Sequence, residues 1–115
     1  MTTPPSDSLR DLAHSTYNFY ARFDVTPTPT DAVMNFEEEV RELIEAARQG
    51  TDPEHISEEA ADVMVTAIGV CQSVGVDIEQ IIARVYYVIA KNDAKTHETH
   101  VHVDGKIRRR SSLKP

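Results

Sequence analysis

Punctuation constrains this chain more than any other feature. Thr26-Pro27-Thr28-Pro29, Gly50 and Gly75 divide it into segments whose apolar residues recur at helical spacing. Nothing between them alternates long enough to predict a strand, so the expected class is all-α. The first segment, residues 8–23, places Leu9, Leu12, Ala13, Thr16, Tyr17 and Tyr20 on one face and stops before the prolines, because a residue preceding proline is pushed out of the α region. The second, residues 31–49, has Thr30 or Asp31 as N-cap and Gly50 as its left-handed stop. The third, residues 58–74, is capped by Ser57, with Glu58 and Glu59 at the positive end of the helix dipole. The fourth, residues 78–95, opens on Asp77-Ile78-Glu79-Gln80, which has the pattern of a capping box, and carries Ile78, Ile81, Ile82, Val85 and Ile89 along one stripe. A polar tail, 96–115, follows with a turn at Asp104-Gly105. The whole, residues 1–115, reads as one domain, small enough that partner subunits are expected to cover part of its apolar surface.

Twelve basic residues against 19 acidic ones leave a net charge of -7. That balance argues against a general grip on nucleic acid or an acidic membrane, and an anionic ligand would need a cation to enter. No run approaches the roughly 18 apolar residues of a membrane span, and Met1 to Asp7 hold no basic-then-apolar leader, so a cytoplasmic protein is expected. The single cysteine, Cys71, sits in an apolar run and reads as a small buried hydrophobe.

Two acidic clusters stand out, Glu37-Glu38-Glu39-Val40-Arg41-Glu42 and Glu58-Glu59-Ala60-Ala61-Asp62. On the second helix Phe36, Val40, Leu43 and Ala47 share an arc opposite Glu38, Glu42 and Glu45, which alone is an ordinary solvated face. The third helix is apolar nearly all round and should be buried, yet Asp62 is embedded in it. A lone buried carboxylate goes neutral, pairs with a cation such as Arg84, or holds a metal. Glu59, Asp62, Thr66, Gly69 and Ser73 fall within an arc of about 80°, a small polar stripe expected to line a cleft. With the second helix alongside, Glu38, Glu39 and Glu42 would converge on Glu59 and Asp62. Carboxylates without Cys or His make an all-oxygen site suited to magnesium or manganese, and magnesium favours phosphate as a further ligand.

The pattern Glu38-Glu39-x-x-Glu42, sixteen residues, then Glu59-x-x-Asp62 resembles the EExxE…ExxD signature of the MazG-like all-α nucleoside triphosphate pyrophosphatases, a group that includes dimeric dUTPases and phosphoribosyl-ATP pyrophosphatase. Asn92-Asp93-Ala94-Lys95 resembles the N-x-x-K of that group, and Asp104-Gly105-Lys106 a downstream DGK of some members. The resemblance covers roughly residues 30 to 106. It implies a four-helix bundle assembling as a homodimer or dimer of dimers, which hydrolyses a nucleoside triphosphate to the monophosphate and pyrophosphate. It further implies Glu38, Glu42, Glu59 and Asp62 as magnesium ligands, and Glu39, beside Glu38, as a ligand or the residue that orients the attacking water. Lys95 and Lys106, with Lys91, are candidates for the pyrophosphate, Asn92 for base or sugar, and Phe19 and Phe23 for stacking a base. Substrates of the implied kind include dUTP, dCTP or a modified nucleotide. The first helix and the loop to Asp31 match no subfamily, which leaves base and sugar open.

Other signals carry less. His97-Glu98-Thr99-His100-Val101 has valine where HExxH needs its second histidine, so zincin chemistry is excluded. His100-Val101-His102-Val103 reads as an extended tail, and Arg108-Arg109-Arg110 as solvated or as a phosphate contact between subunits. Neither His14 nor His55 has sequence neighbours that suggest a base. The rival readings are a non-catalytic nucleotide and metal binding module, a di-iron carboxylate bundle, which needs Glu-x-x-His pairs absent here, and a structural bundle with solvated carboxylates.

Overall fold

The computed structural model describes residues 7–113. The leader expectation for residues 1–6 and the last two positions of the tail lie outside the described residues. Four helices come first, α1 (Ser8–Arg22), α2 (Pro29–Gln49), α3 (Pro53–Ser73) and α4 (Ile78–Asp93), followed by strands β1 (His100–Val103) and β2 (Lys106–Arg109) and a short 3-10 turn (Arg110–Leu113). The chain is all-α in class, with four helices as expected. It falls into two compact units that divide between Ile82 and Ala83.

Local chemistry sets each boundary in the first unit. Asp7 caps α1 by accepting from the Arg10 amide. After Phe23 the chain turns through Asp24 in the left-handed region, at a φ of 54°. The start of α2 falls earlier than expected: Thr28 is the N-cap, accepting from the Asp31 amide, and Pro29 occupies the first turn, where its missing N–H costs nothing. Gly50 ends α2 at a φ of 65°, as expected. The start of α3 is likewise five residues earlier than expected, with Asp52 as cap and Pro53 following. Ser57 is already inside the helix and donates to the Pro53 carbonyl. In α4 the capping box is formed: Asp77 accepts from the Gln80 amide at 2.8 Å and Gln80 accepts from the Asp77 amide at 2.9 Å. Because Asp52 fixes the phase of α3 and hence the bearing of Glu59, Asp52→Ala is expected to destabilise the protein by about 1 kcal/mol, read as a lower melting temperature.

Packing in this unit is between helices. A three-residue connection, residues 50–52, joins α2 and α3 into a helical hairpin, and α1 lies against α3. Buried positions are Ala13, Thr16, Pro27, Ala32, Ala46, Ile68, Gly69, Ile81 and Ile82. The Thr16 hydroxyl donates to the Leu12 carbonyl. Tyr17 donates its hydroxyl to the Val76 carbonyl, and Arg10 pairs with Asp7 and Glu79, which ties α1 to the start of α4. Among the described residues no large side chain is fully buried, while Met34, Met64 and Val74 are 56–62% exposed. The expectation that α3 is buried all round is therefore corrected within this chain: Ala61, Asp62, Met64 and Ala67 are exposed.

The second unit corrects the reading of residues 96–115 as a tail. Residues 100–109 form an antiparallel hairpin in which His100 pairs with Arg109, Val101 with Arg108, His102 with Ile107 and Val103 with Lys106. Its two-residue turn, Asp104 and Gly105, has both φ values positive, at 52° and 77°. This conformation suits the twist of a tight hairpin and explains the Asp-Gly pair. Four-residue strands give only two alternations each, too few to register in a periodicity reading. Among the described residues no helix is long and apolar enough to cross a membrane.

Candidate metal centre

The spacing of the two acidic motifs becomes intelligible in the α2–α3 hairpin. Glu42 and Glu59 stand within one residue of the same distance from its turn, and so do Glu39 and Asp62. An antiparallel helix pair therefore brings the four carboxylates to two adjacent levels. Oxygens of Glu39, Glu42 and Glu59 all lie within 4.8 Å of one another. Glu39 and Glu59 are half-buried, while Glu42 and Asp62 are exposed.

Glu39 is the member whose position the expected α2 face did not anticipate. Ala32, Phe36, Val40, Leu43 and Ala46 are buried or half-buried positions of α2, and at about 100° per residue Glu39, itself half-buried, falls within their arc. The expected arc is thus turned toward Ala46 by about 30°: Val40 stays half-buried and Ala47 is exposed. Glu38 is exposed and lies outside the group of three.

Burial first, and then the charge and hydrogen bonding of Glu42 and the charges of Asp62 and Glu59, raise the Glu39 carboxyl above its ordinary value. Glu59 is raised as well, by burial and then by Glu42, against an opposing effect of His55 that outweighs the contribution of Asp62. One oxygen of each, Oε2, is buried without a hydrogen-bond partner. Buried carboxylate oxygens left unpaired beside like charges are costly, and a divalent cation resolves both problems at once. The donor set is all oxygen, which fits a hard ion such as magnesium or manganese.

His55 is a neighbour that sequence reasoning missed. Its Nε2 lies 3.7 Å from Glu59 Oε1, one turn earlier on α3. The earlier start of α3 is the reason: with Ser57 as cap, His55 would lie outside the helix, whereas the Asp52 cap makes it an i, i+4 partner of Glu59.

The small and polar residues of the stripe below the carboxylates are accounted for by hydrogen bonds within α3 and by helix packing. Thr66 donates to the Asp62 and Val63 carbonyls and Ser73 to the Val70 carbonyl, so both hydroxyls are satisfied by their own helix. Gly69 is covered by Tyr20, whose hydroxyl oxygen would lie 3.3 Å from a Cβ at that position. The small residue seats α1 against α3.

Phe19 and Phe23 pack against one another with ring centroids 5.2 Å apart and planes tilted by 59°, and are 49% and 63% exposed. Arg22 lies over the Phe19 ring. Nearby, Tyr20, Val25, Thr26, Pro27, Asp31 and Met34, together with Asn35, line a cleft of about 280 Å³. Asn35 precedes Glu39 by four residues, about 6 Å along α2, which puts this cleft next to the carboxylates along the helix. In the second unit Asn92, Lys95 and Lys106 line another cleft, of about 640 Å³, and Lys95 donates to the Asn92 side-chain oxygen at 3.0 Å. Arg84, weighed as a partner of Asp62, lies over the Tyr87 ring.

A family profile described as phosphoribosyl-ATP pyrophosphohydrolase matches residues 26–87. No curated relative and no solved structure matches. The matched stretch is more than half of the chain and contains Glu39, Glu42, Glu59 and Asp62 together with the hairpin that aligns them. The protein therefore belongs to the phosphoribosyl-ATP pyrophosphohydrolase family of all-α nucleotide pyrophosphohydrolases.

Proposed function

We propose that the protein hydrolyses the α–β anhydride of a nucleoside triphosphate with magnesium, giving the monophosphate and pyrophosphate by attack of water at the α-phosphorus. The observation that carries this reading is the trio of carboxylates within 4.8 Å, two of them with unpartnered buried oxygens. Glu39, Glu42 and Glu59 hold the ion, and Asp62, level with Glu39 in the hairpin, completes the acidic wall. Glu39 is assigned to the ligands, a reading its half-buried position supports, and the adjacent exposed Glu38 to the orientation of the attacking water. Held by these carboxylates, magnesium would supply charge neutralisation for the phosphate oxygens. Asn92, Lys95 and Lys106 are assigned to sugar and pyrophosphate by the N-x-x-K and DGK patterns. The base is assigned to the cleft beside Asn35, flanked by Phe19 and Phe23, since its volume suits one ring system and its lining mixes apolar walls with the Asp31 and Asn35 polar groups. Assembly as a homodimer or dimer of dimers is part of the proposal, supported by the exposed apolar side chains of α2 and α3. The same reading places the enzyme in the cytoplasm.

The experiment is a panel of ribo- and deoxynucleoside triphosphates, including dUTP and dCTP, together with phosphoribosyl-ATP, assayed with magnesium and with EDTA in ¹⁸O-labelled water. Metal-dependent release of pyrophosphate, with the label in the monophosphate, is expected from a subset. Label in the pyrophosphate would refute attack at the α-phosphorus. Binding of nucleotide and magnesium without cleavage of any member would favour the non-catalytic binding module.

A further inference from the structure

The net charge of the chain conceals a division between its units. Up to Ile82 there are four Lys and Arg against sixteen Asp and Glu; from Ala83 to Leu113 there are seven against three. The second unit is therefore a basic body in an acidic protein, and most of it lies beyond the stretch that the family profile matches.

Its cations are organised rather than scattered. Lys91 of α4, Lys95 just beyond the end of that helix, which closes at Asp93 rather than at the expected residue 95, Arg109 of β2 and Arg110 after it line a cleft of about 820 Å³, with Glu98 as its one acidic residue. The pairing register puts His100 and Arg109 on one hairpin face, both in this cleft. Arg110 is anchored by donation from Nε to the His97 carbonyl at 2.7 Å, which fixes the turn after β2. The potential is felt locally: burial first, then Lys95 and Arg109, keep the His100 imidazole below its ordinary value. On α4 the cationic line continues backward at helical spacing through Tyr87, 57% exposed, whose ring carries the Arg84 guanidinium 5.3 Å from its centroid.

A concave run of cations with an exposed aromatic ring at one end is the arrangement that binds single-stranded nucleic acid without reading its sequence, the cations following the phosphates and the ring stacking a base. We propose that this face, Arg84, Tyr87, Lys91, Arg109 and Arg110, binds single-stranded nucleic acid without using the carboxylates of the hydrolytic centre.

The test is fluorescence anisotropy of a labelled oligothymidylate and an oligouridylate against the full chain, titrated with salt. Binding is expected at low ionic strength, with affinity falling as about the second to third power of salt concentration, since each cation engaged on a single strand contributes about 0.7 to that slope. Lys91→Glu with Arg109→Glu should lower the slope by about 1.4. Tyr87→Ala should weaken binding by about tenfold, within the range for loss of one stacked base. Lys91→Gln, a change at an exposed position, should lower the slope by about 0.7 with an unchanged circular dichroism spectrum. The proposal is overturned by absence of binding at low salt, by a slope indifferent to these substitutions, or by equal competition from a nucleoside triphosphate at matched phosphate concentration. It is also overturned if the charge reversals change the oligomeric state and leave oligonucleotide binding untouched. None of these outcomes touches the hydrolytic reading, which the nucleotide panel decides.

Discussion

Glu59→Gln is expected to reduce magnesium-dependent pyrophosphate release by about 10²- to 10³-fold in kcat/KM, and Glu39→Gln by a similar factor. Both substitutions preserve shape and remove a charge from a trio whose oxygens lie within 4.8 Å of one another. What is lost is the stabilisation of charge developing on the phosphates, worth several kcal/mol for a bound metal, and each 1.36 kcal/mol is a factor of ten in rate. Glu38→Gln is a control with a different signature. It stands outside the trio, so its loss should appear in kcat while the magnesium concentration giving half-maximal rate stays unchanged. The measurement is pyrophosphate release against magnesium and substrate concentration for the three variants. If Glu59→Gln retains wild-type rates at saturating magnesium, the carboxylates do not hold the catalytic ion. If Glu38→Gln instead shifts the magnesium requirement, Glu38 is a ligand and the water-orienting role fails.

Much of this centre was legible in the sequence because an antiparallel helix pair imposes a simple arithmetic. Residues equidistant from the turn meet, so two i, i+3 acidic pairs separated by a short connection must face one another if the helices pack on that side. Which carboxylate of Glu38 and Glu39 turns inward was not legible. One residue shifts a helical position by 100°, and the apolar arc of α2 is loose enough to be centred on either Val40 or Leu43. The same looseness hid His55. Two N-cap signals compete before α3, Asp52-Pro53 and Ser57, and only the formed bond from Asp52 to the His55 amide chooses between them. The polar stripe of α3 misled for another reason. Thr and Ser can satisfy their hydroxyls on their own helix, so Thr66 and Ser73 carry no information about a cleft. Gly69 reports the approach of Tyr20, a contact 49 residues distant that no local pattern contains. The hairpin was the largest omission, yet its turn was visible in Asp104-Gly105, where paired positive φ values require these residue types.

The carboxylate trio should also set the stability of the protein, with opposite signs in the presence and absence of metal. Folding raises the Glu39 and Glu59 carboxyls above their ordinary value through burial and the neighbouring charges. A carboxyl that holds its proton more tightly when folded makes the native state bind more protons than the unfolded one. Its contribution to stability is therefore greatest below the unfolded value near 4.5 and is lost as pH rises through the raised folded value. Metal-free protein at neutral pH thus bears the full repulsion, and Glu39→Gln or Glu59→Gln should raise its melting temperature, an advantage that fades as pH falls toward 4.5. Magnesium reverses the order. An ion that binds only the folded state at a hundred times its dissociation constant stabilises by about 2.7 kcal/mol, on the order of 10 °C for a chain of this size. That shift should appear in the wild type and shrink in both variants. The measurement is thermal unfolding of the three proteins between pH 4.5 and 8, with EDTA and with magnesium. Variants less stable than wild type in EDTA at neutral pH would mean that the carboxylates are satisfied by the protein itself. Conversely, variants that melt higher without metal and ignore magnesium would show that these side chains are kept against the interest of the fold, because the ion requires them.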